Sequence, residues 1–274
     1  MHATPPDAGV VLPLGAAMVL YVAGYRRLAA RAGRLVQPRA AACFVAGWLG
    51  LAVALASPLH GLGKELLAAH MVQHELVMVV AAPLLVLGRP VVPWLFALPS
   101  GSRHAIGRWA RAGPPGTLWR AASRPLTAFS LHAAAILGWH APAAYQATLR
   151  SDSVHALQHV TFLATSLLFW QVLLRPRTRA QLGAAVLYLF ATSLYTGGLG
   201  ALLALSPTPW YPAYGAAGAA RGYTPMEDQQ LAGLIMWMPG AFAYLAAALG
   251  LLTAWLGESG ARVRAPAPRA PARR

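Results

Sequence analysis

Two histidine pairs with the same spacing are the strongest chemical signal in the sequence. HMVQH occupies residues 70–74 and HALQH occupies residues 155–159, so each pair reads His-x-x-Gln-His. In a helix this i, i+4 spacing places both imidazoles on one face, about 6 Å apart. Imidazole is a common ligand of copper, zinc and iron, and a thioether beside it favours Cu(I). The repeat therefore predicts a metal site that contains His70, His74, His155 and His159.

Five further residues are candidates for the same site. His140 closes an apolar run, His60 lies in a short loop before the first pair, and Met236 offers a soft sulfur. Glu75, inside an apolar run, is either a proton acceptor or partner of the site, or a protonated carboxyl that only helps packing. Asp228, at the start of the last apolar run, is explained by helix capping as well as by ligation. We predict His140 and Met236 as ligands, with His60, Glu75 and Asp228 as a second tier.

The composition indicates that membrane helices position these residues. The 274 residues are 57% hydrophobic and only 11% charged, whereas soluble domains carry about 25% charged residues. The excess of apolar residues also excludes a disordered chain. The predicted fold class is therefore all-α, a polytopic membrane protein with seven transmembrane helices. The apolar runs that approach the roughly 20 residues needed to span a bilayer are residues 10–28, 40–57, 66–87, 126–145, 154–174, 182–205 and 229–256.

Basic residues are distributed unevenly between the connections, and this distribution predicts the orientation. The net charge is +15, and all but three of the 22 basic residues fall in alternate connections and the C-terminal tail. The three exceptions are Lys64, Arg150 and Arg221. Because Lys and Arg in short loops stay on the cytoplasmic side, we predict the N-terminus outside and the C-terminus in the cytoplasm. The basic residues are then topology markers, and nucleic acid is not a predicted partner.

This topology predicts one transmembrane domain over residues 1–256, which includes a basic cytoplasmic loop at residues 89–125 on the membrane surface. Residues 257–274 form a predicted disordered tail, rich in Pro, Ala and Arg, near anionic headgroups. Spans three and five both run from outside to inside, so the two histidine pairs lie at similar depth near the outer side. With His60 and His140, the prediction is a cluster of up to six imidazoles at the outer membrane boundary.

Four segments give the chain a resemblance to a known family. In order along the chain they resemble the CtaG family of cytochrome c oxidase assembly factors, the integral-membrane type associated with caa-type oxidases. The segments are HMVQHELVMVVAAPLLVLGRP (residues 70–90), LGWHAPAAYQATL (137–149), HALQHVTFLATSLLFW (155–170) and EDQQLAGLIMWMPG (227–240). The resemblance implies a seven-helix bacterial plasma-membrane protein that matures a haem-copper oxidase by handling copper at its outer face. The family motifs fall on His70, His74, His140, His155, His159, Asp228 and Met236.

The leading hypothesis is a non-enzymatic assembly factor that binds copper, as Cu(I), in the outer histidine and methionine cluster. Its predicted partners are the subunits of cytochrome c oxidase, which receive the copper, and membrane lipid. One alternative is a haem b protein that moves electrons, since facing helices also supply axial histidines to haem. A second alternative is a copper importer, which needs a polar path to the cytoplasm. Glu75, Met78 and His132 are the few candidates for such a path.

Overall fold

The computed structural model describes residues 8–32, 37–175 and 178–263. The described residues are 88% helical and contain no strand, which confirms the predicted all-α class. A π-helix at Leu76–Ala81 joins the fourth and fifth α-helices, and a 3-10 turn at Pro212–Tyr214 precedes the thirteenth. The α-helices are α1 (Ala8–Ala32), α2 (Pro38–Ala56), α3 (Pro58–Leu62), α4 (Leu67–Glu75), α5 (Ala82–Gly88), α6 (Val91–Ala97), α7 (Ser100–Ala112), α8 (Pro114–Ala122), α9 (Pro125–His140), α10 (Pro142–Arg150), α11 (Asp152–Leu173), α12 (Arg179–Leu205), α13 (Gly215–Ala220) and α14 (Pro225–Val263).

Six helical segments among the described residues are long and apolar enough to cross a membrane. They match the predicted spans one, two, three, five, six and seven. The predicted fourth span falls on α9, whose 16 residues extend about 24 Å at 1.5 Å per residue. This helix ends at His140 because Pro142 begins a separate helix, α10. The six segments are Ala8–Arg31, Pro38–Ala56, Leu67–Gly88, Asp152–Leu173, Ala180–Leu205 and Pro225–Gly257.

The predicted basic loop at residues 89–125 is helical along most of its length. It forms α6, α7 and α8, and Trp109, Leu118 and Trp119 are exposed. Arginines accompany these apolar side chains along α7 and α8. Such a mixture is typical of helices at a membrane surface.

The last helix continues past the predicted end of the transmembrane domain at residue 256. It ends at Val263, so the first residues assigned to the tail are helical. Residues 264–274 lie outside the described part of the chain, and the disordered tail remains a prediction there.

The third span is the centre of the bundle. It consists of α4, the π-helix and α5, and 61% of its 18-residue apolar window is buried, against 11–44% in the windows of the other five spans. The π-helix is closed by a hydrogen bond from the Ala82 N–H to the Val77 carbonyl oxygen. The Trp170 indole N–H of α11 donates to the Met78 carbonyl oxygen at 2.9 Å. The span that carries the first histidine pair is thus the most buried of the six, although Val80 and Leu87 are exposed.

Small residues allow two helix pairs to approach closely. A Cβ atom at Gly24 of α1 would lie 1.7 Å from the Pro93 carbonyl oxygen of α6. A Cβ at Gly233 of α14 would lie 2.5 Å from the Gly200 carbonyl oxygen of α12. Neither backbone could stay in place if these glycines carried a side chain. The Trp94 indole N–H of α6 also donates to a carbonyl oxygen of α1, at 2.9 Å.

The connections at the histidine end of the bundle are tied to one another by two exposed ion pairs. Lys64, which precedes α4, contacts Asp152 at the start of α11 at 2.6 Å. Glu65 contacts Arg221, which follows α13, also at 2.6 Å. The segment between α12 and α14 places two buried tyrosines, Tyr211 and Tyr214, over this end of the bundle. These contacts close the end of the bundle where the histidines lie.

Candidate metal centre

The two histidine pairs face each other in the structure. His70 and His74 project from α4, and His155 and His159 project from α11. The ring centroid of His70 lies 4.9 Å from that of His155 and 5.7 Å from that of His159. All four side chains are buried, with exposed fractions from 0 to 6%. The sequence repeat therefore corresponds to one cluster shared by two helices.

Three of these imidazoles could hold one metal ion. One ring nitrogen from each of His70, His155 and His159 lies within 4.8 Å of the others. The Nε2 atoms of His155 and His159 are only 2.8 Å apart. Nitrogens bound to one ion at about 2.0–2.1 Å in tetrahedral geometry lie about 3.3 Å apart, so a small rotation of either ring would admit an ion. We call these three residues the outer triad.

Hydrogen bonds fix the ring of His70. Its Nε2 donates to Oε1 of Gln158 at 3.2 Å, because an amide oxygen can only accept. Its Nδ1 lies 3.0 Å from the hydroxyl of Tyr214. That hydroxyl also lies 3.1 Å from the Gly63 carbonyl oxygen. Gln158 precedes the second histidine of the other pair, so the glutamine of one repeat orients a histidine of the other. A metal-binding histidine usually keeps such a partner on one ring nitrogen and offers the other to the ion, so His70 would release one of these two hydrogen bonds on binding.

His140 and His60 complete the predicted set of six imidazoles. His140, at the end of α9, is buried, and its ring centroid lies 5.8 Å from that of His74. His60 of α3 stacks on His155 with a centroid separation of 5.2 Å and an interplanar angle of 7°. Its Nδ1 lies 3.3 Å from Nε2 of Gln73. All six predicted histidines are therefore neighbours.

Asp228 caps the helix that carries the first histidine pair. Its two carboxylate oxygens accept the backbone N–H groups of Leu67 and Ala68, at 2.7 and 2.9 Å. Both oxygens are thus engaged at the N-terminus of α4. This favours the capping explanation of Asp228 over ligation, and it shows how α14 fixes the position of α4.

Met236 and Glu75 lie between α4 and α14. Both Met236 and Ala232, one turn apart on α14, are buried. A Cβ atom at Gly240, one further turn along, would lie 3.4 Å from a carboxylate oxygen of Glu75. Along α14, Met236 therefore lies between Asp228, which contacts the start of α4, and Gly240, which lies near Glu75.

The chain matches one family along most of its length. Residues 19–258 match the family described as cytochrome c oxidase caa3 assembly factor, Caa3_CtaG. The chain belongs to this family. No curated protein and no solved structure matches it. The predicted family is therefore confirmed, and the histidine cluster is the candidate functional site of a CtaG-family assembly factor.

Three buried tyrosines border the cluster of this CtaG-family protein and were not predicted from the sequence. Tyr145 of α10 lies 5.2 Å from His70 between ring centroids and stacks on Tyr211 at 4.2 Å. Burial raises the pKa of Tyr211 and of Tyr214 above the ordinary value, so these hydroxyls stay protonated. The signal available in the sequence was the position of all three within three residues of Pro142 or Pro212.

Loss of the Asp228 cap should loosen the start of α4 in the CtaG-family protein. Asp228→Ala removes two hydrogen bonds from a helix N-terminus, a change that costs about 1–2 kcal/mol. We expect a lower thermal midpoint in detergent and faster hydrogen exchange at the amides of Leu67 and Ala68. The matched control is Glu227→Ala, because that carboxylate caps only its own helix through Thr224. Equal exchange at both amides in the two variants would contradict the role of Asp228.

Proposed function

We propose that this protein binds a copper ion in the outer triad and transfers it to a subunit of cytochrome c oxidase during assembly. The observation that carries the proposal is the convergence of three buried imidazoles from two helices, with ring nitrogens within 4.8 Å. Family membership supplies the recipient, because the family is one of oxidase assembly factors. The protein then acts as a carrier with copper as its cargo, and no catalytic step is required.

The ligand chemistry favours Cu(I) over a divalent ion. The outer triad consists of neutral imidazoles and contains no carboxylate. Asp228 is engaged with α4, and Asp152 pairs with Lys64. Burying a divalent ion among neutral ligands leaves two charges uncompensated, whereas Cu(I) leaves one. Imidazole and the nearby thioether of Met236 also suit Cu(I).

The proposed topology has seven spans, with the N-terminus outside and the C-terminus in the cytoplasm of a bacterial plasma membrane. In this arrangement α9 is the short fourth span, and α10 lies at the outer boundary. Two observations support it: the segregation of basic residues in the sequence, and the position of both histidine pairs at the same end of the bundle as α10. The cluster then lies at the side of the membrane on which an oxidase subunit would receive copper.

The packing of the cluster argues for an ion rather than a porphyrin. Ring centroids of neighbouring histidines are separated by 4.4 to 6.3 Å throughout the cluster. Aromatic rings of Tyr145 and Phe162 lie against it as well. A haem plane between two axial histidines would need a flat slot that these side chains fill. We therefore rank haem binding below copper binding.

Metal analysis of the full-length protein tests the proposal. The protein is purified in detergent from copper-supplemented cells, and copper, zinc and iron are measured per chain by mass spectrometry. We expect at least one copper ion per chain, and a loss of copper in the His155→Ala/His159→Ala variant. His132→Ala is the matched control, because His132 is equally buried but stacks on Phe169. Absence of copper, or equal copper in the double variant, would overturn the proposal.

A further inference from the structure

Several ring nitrogens deep in the cluster have no hydrogen-bond partner. Among the described residues, both nitrogens of His74 and the Nε2 atom of His140 are buried and unpartnered. His74 and His140 are each only 2% exposed. A buried polar atom without a partner costs about 1–3 kcal/mol, so these three atoms on two neighbouring rings destabilise the protein. Neither residue belongs to the outer triad. A ligand bound between His74 and His140 would satisfy these nitrogens and remove this free-energy cost.

The orientation of His140 is that of a metal ligand. Its Nδ1 lies 2.7 Å from the Ile136 carbonyl oxygen. A carbonyl oxygen can only accept, so Nδ1 carries the proton and Nε2 presents its lone pair. A ring whose far nitrogen donates to a backbone carbonyl is the usual arrangement in metal sites. The lone pair of His140 therefore points into the buried space without a donor to satisfy it.

The separation of the two rings fits a shared ion. The centroid of an imidazole lies about 3.2 Å from a metal bound at 2.0–2.1 Å, so two rings on one ion have centroids about 5.2 to 6.3 Å apart. The shorter limit corresponds to a tetrahedral angle and the longer limit to a linear arrangement. His74 and His140 are separated by 5.8 Å, inside this interval and equivalent to an angle at the ion of about 130°. This angle leaves room for a third donor, and imidazoles together with a thioether suit Cu(I).

We propose a second Cu(I) site between His74 and His140, deeper than the outer triad and separate from it. The identity of the ion rests on the proposed function. Met236 offers a third donor, because the register of α14 places it at the level of α4. The two sets are distinct because His140 has no ring contact with any residue of the outer triad among the described residues. The protein then carries two copper ions.

His74 connects the two sites. Its ring centroid lies 4.4 Å from that of His70 and 5.5 Å from that of His159, both members of the outer triad. His140 has ring contacts with His74, Tyr145 and Phe162, and with no ring of the outer triad among the described residues. Rotation of the His74 ring could therefore pass an ion from the deep site to the outer triad by ligand exchange. His140 is the residue that distinguishes the deep site experimentally.

The test is a count of bound Cu(I). Detergent-purified full-length protein is loaded anaerobically with Cu(I), and copper is then withdrawn with a Cu(I)-specific chelator of graded concentration. We expect two ions per chain that leave in two phases. His140→Gln should fall from two ions to one and keep the phase that the His155→Ala/His159→Ala variant loses. The double variant should keep one ion, and its X-ray absorption should show two imidazole nitrogens.

Controls and outcomes separate this inference from the proposed function. Gln at position 140 keeps a donor for the Ile136 carbonyl oxygen, and His132→Gln, at an equally buried histidine, should retain both ions. A single ion that is lost in the double variant and unchanged in His140→Gln would overturn the deep site and leave the proposed function standing. Copper that is lost in His140→Gln and unchanged in the double variant would support the deep site and overturn the outer triad. A protein that binds no copper would overturn both.

Discussion

Replacement of His155 and His159 by alanine is expected to lower cytochrome c oxidase activity at least about tenfold in membranes of cells grown at limiting copper. The variant removes the two convergent nitrogens of the outer triad. Even the loss of a residue that only hydrogen-bonds to a metal ligand costs about 10- to 100-fold in metal affinity or activity. Oxidase activity is measured as oxygen consumption with reduced cytochrome c, together with the amount of oxidase polypeptide. We expect the polypeptide to be present and the activity to be low.

Copper supplementation and a matched variant make this result specific. If the defect lies in copper supply, excess copper should restore part of the activity, because the oxidase can then acquire copper without its carrier. His132→Ala removes an equally buried histidine that stacks on Phe169, and it should support full activity. Full activity of the double variant at limiting copper, with normal amounts of both proteins, would show that the outer triad does not deliver copper.

Gly24→Ala is expected to lower the thermal midpoint of the detergent-purified protein by roughly 5–10 °C. The added Cβ would lie 1.7 Å from the Pro93 carbonyl oxygen and 3.0 Å from the Ala97 backbone nitrogen. Neither atom can rotate away, so α6 must separate from α1. Such overpacking costs about 1–3 kcal/mol or more, which corresponds to a shift of this size for a chain of this length. Light-scattering-detected unfolding or a thiol-dye assay at Cys43 would measure it.

Gly15→Ala, on the same helix, should not lower the thermal midpoint. A Cβ at Gly15 meets no atom within 4 Å, and alanine is the better helix former by about 1 kcal/mol. We expect an unchanged or higher midpoint in this variant. Equal midpoints for the two variants would mean that α1 and α6 do not pack closely at Gly24.

The sequence was sufficient for the six long apolar helices and for the six neighbouring histidines. Apolar runs and the segregation of arginine indicated where the helices lie, because a bilayer restricts both length and charge. The i, i+4 repeats at matched depth brought His70, His74, His155 and His159 to one end of the bundle. His60 and His140 followed because short connections keep their ends close to those pairs. These are local patterns, and local patterns can be seen in a sequence.

The remaining features depend on contacts between distant segments. The two oxygens of Asp228 bind the N-terminus of α4 from 160 and 161 residues away, and no spacing rule predicts that pairing. Tyr214 reaches His70 from a loop whose path is set only by packing. The fourth span was expected to continue to residue 145, but the chain turns at Pro142 and begins a new helix. In each case tertiary packing determines the position and the partners of the residue, and the sequence shows only the residue type.

The π-helix at Leu76–Ala81 makes the third span one residue longer than an α-helix whose two halves would face the same directions. A π-turn holds about one residue more than an α-turn over a similar rise. Deletion of one residue within this segment could therefore close it as an ordinary α-helix and leave His70 and His74 facing α11. The same deletion within α4 or α5, where no extra residue is available, would rotate one part of the span relative to the other by about 100°. The π-helix is thus the position in this span at which a change of chain length disturbs the direction of the histidines least.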